Sequence, residues 1–380
     1  MKNIKLNYPL LFLLVTLFLA ISFLVYHQAY DAQNYFSDTK PHIEYLRKYF
    51  SLESFYIPHP LWHYGVKITS ELFFISIELA AVIFSAFLVT LWTYLVYHTI
   101  KYLSKIESDL CVTLLTFTTI IIAPLTIPWY NQVIYLGQSS PNIWHNVTLW
   151  SVKPFALLTM FFMIEAIRSQ KRHYYFISLV TLLISILAKP SFVIAFLPAI
   201  ALFVLMKKLI YREFIVFYLL FTILSVVILS YQYTHTFTGE DSHVFVDFLG
   251  VWSQSSLNIP ISIVLALAFP IALFILETKI IHDDYILLSW ILTFIGIVFY
   301  AVFAQSGKYY PHGNFGWSYA IAMSLLYLFS IIKFAEIYKG LHFIKKSILL
   351  TLLALQTLIG LYYLIKILEG QSPLYISIGF

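Results

Sequence analysis

An all-α, polytopic membrane bundle is the fold class that this sequence predicts, and three observations predict it. Of 380 residues, 61% are hydrophobic and 11% charged, with a mean hydropathy of +0.84; that leaves too little polar surface for a soluble chain of this length. Apolar runs close to the roughly 20 residues needed to cross a bilayer recur from end to end. They lack the polar–apolar alternation of barrel strands, and backbone groups in hydrocarbon must be satisfied internally, so the spans are helices.

Eleven such runs lie near 8–26, 71–99, 109–128, 152–167, 174–188, 192–206, 214–232, 258–276, 285–304, 317–332 and 347–368, within one transmembrane domain covering residues 1–380. The first reads as a signal anchor, because it is nearly full membrane thickness. A cytoplasmic N-terminus puts only Lys40, Arg47, Lys48, Lys67, Lys153, Lys189, Lys308 and Lys366 outside or in outer half-spans, leaving fifteen of the 23 Lys and Arg inside, as the positive-inside rule requires. The expected location is the plasma (inner) membrane, multi-pass, with the active site on its outer face. The lone Cys111 excludes an intrachain disulfide, a thiolate zinc site and an iron–sulfur cluster. No basic cluster flanks exposed aromatics, so nucleic acid is not an expected partner.

The connections are lopsided. Inner links are short and charged, whereas the outer ones, 27–70, 130–151, 231–258 and 305–317, are long and rich in Trp, Tyr, His, Pro and Asn. Loops of that length are usually functional or disordered, and this composition is not that of disorder. Chemistry is therefore expected outside.

In segment 27–70, residues 38–50 read as an interfacial helix with Pro41 in its first turn and Ile43, Leu46 and Phe50 on one face. Asp38 and His42, four apart, face the same way, and Asp31 follows the first span directly. Asp38 is equally a candidate helix cap and Asp31 a boundary charge. Pro58 and Pro60 hold His59 in a stiff approach to Trp62 and His63. Glu78 reads as a carboxylate well inside a span, on the same face as Glu71, and so as a functional candidate. In the second outer segment, Trp144, His145 and Asn146 offer an indole for stacking on a sugar or headgroup beside donors and acceptors for hydroxyls. Lys189 stands between apolar runs of only about 15 residues, short of a full crossing; this sets it near headgroup depth, as a phosphate ligand or a snorkelling cation. Lys308, His312 and Asn314 lie in a glycine-rich late segment that permits close backbone approach.

No P-loop, dinucleotide fingerprint, nucleophile elbow or HExxH motif is present. What recurs is acids near the first span and cations near later ones. Inverting glycosyl transfer from a phosphate-linked sugar needs this pairing: a carboxylate takes the acceptor's proton, and positive charge or a metal steadies the departing phosphate.

The early outer acids, the interfacial helix and the spans of uneven length resemble the GT-C class of integral-membrane glycosyltransferases. The pieces SDTKPH (Ser37–His42), PHPLWH (Pro58–His63), PNIWHNVT (Pro141–Thr148), AKPS (Ala188–Ser191) and HGNFGW (His312–Trp317) look like the loops of bacterial members associated with surface polysaccharide. The resemblance implies a polyprenyl-phosphate sugar donor, a glycan or lipid-linked acceptor, and a catalytic acid in the first outer loop. Carried over, the acid is Asp38 or Asp31, with His42 orienting it. The same three side chains would hold a divalent ion, Mg or Mn, where the reaction uses one. His59, His63, Trp144, His145, Asn146, Lys189, Lys308, His312 and Asn314 are the expected substrate ligands. Two other functions compete: an O-antigen-type polymerase or ligase, disfavoured because Arg47 is the only outer arginine, and a lipid-linked-glycan flippase or transporter, which would favour internal repeats and a polar path across the membrane.

The basic asymmetry predicts that Asp38→Cys and Lys208→Cys react with an impermeant thiol reagent from opposite sides of the membrane. Labelling from one side only would overturn the orientation and the outer location of the site with it.

Overall fold

The computed structural model describes residues 7–51, 56–127, 133–236 and 243–372. Lys2 and Lys5, which count toward the basic asymmetry, lie outside them. The chain opens with α1 (Tyr8–Tyr30), capped by the Asn7 side chain, which accepts the Leu10 N–H at 3.1 Å. Leu10, Leu13, Leu17, Ile21 and Leu24 are buried along one stripe of α1, at the three- and four-residue spacing that aligns side chains on a helix. The amphipathic α2 (Thr39–Phe50) and α3 (Leu61–Phe73) follow, then the long α4 (Ile77–Ser104), against which α1 packs.

Next come α5 (Asp109–Ile121), a wide helical turn at Ile134–Gln138, α6 (Val147–Ser169), α7 (Arg172–Ala188), α8 (Ser191–Lys207) and α9 (Arg212–Thr236). Strand β1 (Val244–Val246), α10 (Gly250–Ser253), α11 (Ile259–Ala266), α12 (Ala268–Leu276), α13 (Asp284–Val302), strand β2 (Phe303–Gln305), α14 (Gly316–Ile337) and α15 (Phe343–Leu368) complete the order. The two strands pair antiparallel, Phe245 opposite Ala304, and tie two of the long connections together.

Each of the eleven apolar runs contains a helix, but the count of eleven spans is not confirmed. Among the described residues, seven helices are long and apolar enough to cross a membrane, and eight if α11 and α12, bent by 74° at their junction, form one span. The remaining three, α5, α7 and α8, have 13, 17 and 17 residues. At a rise of 1.5 Å per residue, 17 residues reach only about 25 Å, less than the roughly 30 Å hydrocarbon core. This is a multi-pass membrane architecture with helices of unequal depth.

Helix α14 is the hub. It is buried from Gly316 to Ile332 and packs against α4, α5, α6, α8, α12 and α13. Its approach to α13 depends on Gly296, where a Cβ would stand 2.8 Å from the Tyr319 Cα. Helix α9 is peripheral: Ile215, Val216, Leu219, Ile223 and Val227 are exposed, as expected of side chains facing lipid.

The bundle has two unlike ends. Charges are paired at one, where Arg168 and Lys207 both bind Asp284 (2.7 and 2.8 Å), Lys345 binds Glu277 and Lys333 binds Asp283. The long polar segments gather at the other. Glu78 proves not to be deep in a span. A left-handed residue, Phe74, ends α3, and the Ser76 side chain caps α4, so Glu78 sits in the first turn of α4 and pairs with Arg47. Glu71 lies on α3 and pairs with Lys67, so the two acids do not share a face.

At the α11–α12 bend the helical ladder is interrupted inside the bundle, and two polar side chains repair it. The Tyr327 hydroxyl donates to the Ala266 carbonyl at 2.6 Å, the Gln356 Oε1 accepts the Phe269 N–H at 3.2 Å, and the Gln356 Nε2 donates to the Tyr327 oxygen at 2.6 Å. Gln356→Leu orphans the Phe269 N–H and removes the donor to the Tyr327 oxygen, whose own bond to Ala266 stays; at about 1–3 kcal/mol for an unsatisfied buried group, the variant should unfold several degrees below wild type in detergent. An unchanged midpoint would show that the bend does not depend on this pair.

Candidate functional site

The site is assembled where α1, α2, α3, α6 and the α7–α8 turn meet. Gln28, near the end of α1, donates through Nε2 to the Trp144 carbonyl (3.0 Å) and accepts from the Thr39 hydroxyl (2.8 Å). It thereby fixes the start of α2 against the segment leading into α6. Asp38 strengthens the junction, because its backbone N–H donates to the His145 carbonyl at 2.9 Å.

The Asp38 side chain does not cap α2. Its backbone is helical and its carboxylate makes no capping bond; Ser37 Oγ accepts the Thr39 N–H instead. Asp38 Oδ2 accepts a 2.5 Å hydrogen bond from Asn146 Nδ2. Asn146 is itself the cap of α6, its Oδ1 accepting the Leu149 N–H and the Thr148 hydroxyl, both at 2.8 Å. Those bonds fix which amide atom is oxygen and turn the NH2 toward Asp38. Thr148 Oγ1 in turn accepts from Lys189 Nζ at 2.9 Å. A relay of three hydrogen bonds thus runs from a buried cation through Thr148 and Asn146 to a carboxylate.

Lys189 is 6% exposed, and its Nζ lies 4.5 Å from the centre of the Trp317 ring. Burial pushes its pKa down to about 8, and Asp38 opposes that shift. Beside it stand four histidines. His42 Nδ1 and His63 Nε2 are 3.1 Å apart, so one ring donates and the other accepts. His59 lies edge-on to His42 at 6.4 Å. Burial holds all four, His42, His59, His63 and His145, below the usual histidine range, His63 at about 4, and Lys189 adds to the effect at His42, His59 and His145. Trp62 anchors this group through a hydrogen bond from Nε1 to Ser85 on α4.

A cavity of about 800 Å³ opens beside the relay. His59, Lys189, Gln232, Asn314 and Trp317 form its polar part, and Ile194, Val226 and Leu229, on α8 and α9, form an apolar wall. Asn314 is held by a 2.8 Å bond to Gln305.

Of the residues singled out in the sequence, Asp38, His42, His59, His63, His145, Asn146, Lys189 and Asn314 converge here. The others take different places. Asp31 ends α1, and both its carboxylate oxygens accept from Asn34. Trp144 is turned inward among Val89, Trp92, Trp150 and Lys153, so its indole presents no open stacking ledge; Trp317 provides the aromatic wall of the cavity. Lys308 is exposed over the Tyr309 ring, outside that lining. His312 contributes its carbonyl, which accepts from Tyr135, the residue stacked on Trp317. Among the described residues no group of three or more His, Cys, Asp and Glu side chains is arranged to hold a metal ion: Asp31, Asp38 and His42 each turn to a different partner.

Sequence reasoning missed Thr148, Trp317 and Lys153 as parts of the site. Lys153 is buried, donating to the Pro141 carbonyl at 2.6 Å and to Asn142 Oδ1 at 3.0 Å, and so pins the segment that carries His145 and Asn146. The only sequence signal for it was a lysine in the second turn of an apolar helix.

The histidine cluster gives the pH dependence a definite sign. Unfolded imidazoles bind protons near pH 6.5, whereas the buried ones do so only further down, His63 near 4. Between those values the unfolded state holds more protons, so stability falls as pH falls. The thermal midpoint should drop from pH 7 to pH 4.5, and less steeply in His63→Gln; parallel profiles for the two proteins would refute this. No protein-family model matches the sequence, and neither a curated protein nor a solved structure matches it.

Proposed function

We propose that this protein is a membrane glycosyltransferase that moves a sugar from a polyprenyl-phosphate donor to a glycan or lipid-linked acceptor, with the site on the outer face. The observation that carries the reading is the form of the 800 Å³ cavity. A buried lysine stands at one part of it and an apolar wall along α8 and the lipid-facing α9 at another. A ligand with an anionic head and a long hydrocarbon tail fits that division.

The chemistry follows from the relay. Lys189 binds the donor phosphate and balances the charge that grows as the bond from the sugar's anomeric carbon to the phosphate oxygen breaks. Asp38 takes the proton of the acceptor hydroxyl as its oxygen bonds to the same carbon from the opposite face, so the anomeric configuration inverts. Asn146 and Thr148 keep carboxylate and ammonium at a fixed separation and prevent them from collapsing into an ion pair. The neutral histidines supply hydrogen bonds to sugar hydroxyls without adding charge. Asp31, bonded to Asn34, has no part in this scheme. The competing polymerase or ligase reading loses ground because Arg47 is taken up by Glu78.

Two substitutions test the assignment in reconstituted protein. Lys189→Met should weaken binding of undecaprenyl phosphate about 10- to 100-fold, the equivalent of about 1.5–3 kcal/mol for a charge-assisted contact. Asp38→Asn should leave that binding intact and lower sugar transfer about 100-fold or more. Full transfer by Asp38→Asn would remove the catalytic role, and lipid movement without transfer in wild type would favour the transporter.

A further inference from the structure

A second cleft, of about 260 Å³, lies back to back with the donor cavity. Tyr49, Tyr56, Tyr64 and Tyr231 line it together with Ile57 and Ile228, and among the described residues no charged side chain does. The Tyr49 and Tyr64 hydroxyls are hydrogen-bonded at 2.8 Å, and Tyr56 packs edge-on against Tyr231 with ring centres 5.7 Å apart. Pro58 and Gln232 belong to the lining of both spaces. They form the wall between them, with His59 on the donor side.

Gln232 is the informative residue. It is 5% exposed, its Nε2 reaches only the Ile186 carbonyl at 3.5 Å, and its buried Oε1 has no partner. Of the thirteen buried side-chain polar atoms without a partner among the described residues, this oxygen is the one that belongs to the lining of this cleft. A ligand hydroxyl in the cleft would satisfy it. Tyrosine faces and hydroxyls with no charge suit a neutral polyol: ring C–H groups lie on the aromatic faces, and hydroxyls bond to phenols and the amide.

We propose that this tyrosine-lined cleft binds one neutral sugar ring of the acceptor, with Gln232 Oε1 accepting a hydrogen bond from one of its hydroxyls. The assignment rests on the glycosyltransferase reading, which already places the donor on the other side of Gln232. The acceptor then enters on the α2–α3 side, and its reacting hydroxyl has to pass the Pro58–Gln232 boundary to reach the donor near His59. Acceptor choice is set by the cleft and donor choice by the cavity.

The experiment uses the full chain in phospholipid nanodiscs and, as probes, octyl β-D-glucopyranoside, octyl β-D-galactopyranoside and octanol, each below micellar concentration, followed by saturation-transfer NMR. At least one glycoside should bind saturably and resist displacement by octanol. Gln232→Leu, and Tyr64→Phe as a milder variant that removes a single hydroxyl, should each weaken it fivefold or more at unchanged thermal midpoint. Displacement by octanol would make the cleft a site for alkyl chains, and wild-type affinity in both variants, or no glycoside binding at all, would equally overturn the proposal. Undecaprenyl phosphate is titrated in the same samples. Its failure to bind wild type, with glycoside binding as expected, would sink the donor reading and leave the cleft as a sugar site.

Discussion

The hydrogen bond from Asn146 to Asp38 closes a chain that begins at Lys189, and the geometry of the site end depends on it. Four segments far apart in sequence supply its parts: α2 brings Asp38, the start of α6 brings Asn146 and Thr148, the α7–α8 turn brings Lys189, and α14 brings the Trp317 ring. Within a bilayer, apolar packing alone gives helix ends little reason to choose one arrangement over another, because lipid satisfies apolar faces as well as protein does. Polar groups withdrawn from water do discriminate, since each must find a specific partner. The relay selects the arrangement and places a carboxylate and an ammonium on one network.

The same constraint explains the rest of the scaffold. At the opposite end, Asp284 receives both Arg168 and Lys207, which fastens α6 and α8 to α13. Inside the bundle, Tyr327 and Gln356 complete the ladder broken between α11 and α12. Polarity is thus paired at these two places in the bundle. Among the described residues, thirteen buried side-chain polar atoms have no partner and they are spread through the bundle; two of them, His59 Nδ1 and Gln232 Oε1, belong to residues that line the 800 Å³ cavity.

The helical class was legible because the apolar runs are long and the charges few, and the amphipathic α2 because its apolar stripe is local. Span count was less legible: hydropathy registers α5, α7 and α8 as runs like the others, and only geometry distinguishes a 13- or 17-residue helix from a full crossing. The break after Phe74 was hidden, since nothing in an apolar sequence marks a left-handed phenylalanine. In the site, Asp38 and His42 share a face as their spacing of four requires. The bond from Asp38 to Asn146 spans 108 positions, and one sequence holds no record of such a pairing. Trp144 and Lys308 have the right chemistry in the right segments, and only packing decided that one turns inward and the other stays at the rim.

The charge balance of the relay bears on how such a site could work. A lysine in direct contact with a carboxylate would be held firmly ionised, with its attraction spent on that partner; a lysine buried alone would lose its proton. Lys189 lies between these limits: Asp38 raises its proton affinity from a distance, burial lowers it, and the result is about 8. It is therefore largely charged near neutral pH while hydrogen-bonded to a neutral hydroxyl. Under the proposed function, an incoming phosphate would exchange that hydroxyl for a stronger partner and give the buried ammonium a counter-charge. Such binding would offset the desolvation of the buried ammonium, a physical reason for an anion to prefer the cavity over the lipid surface around it.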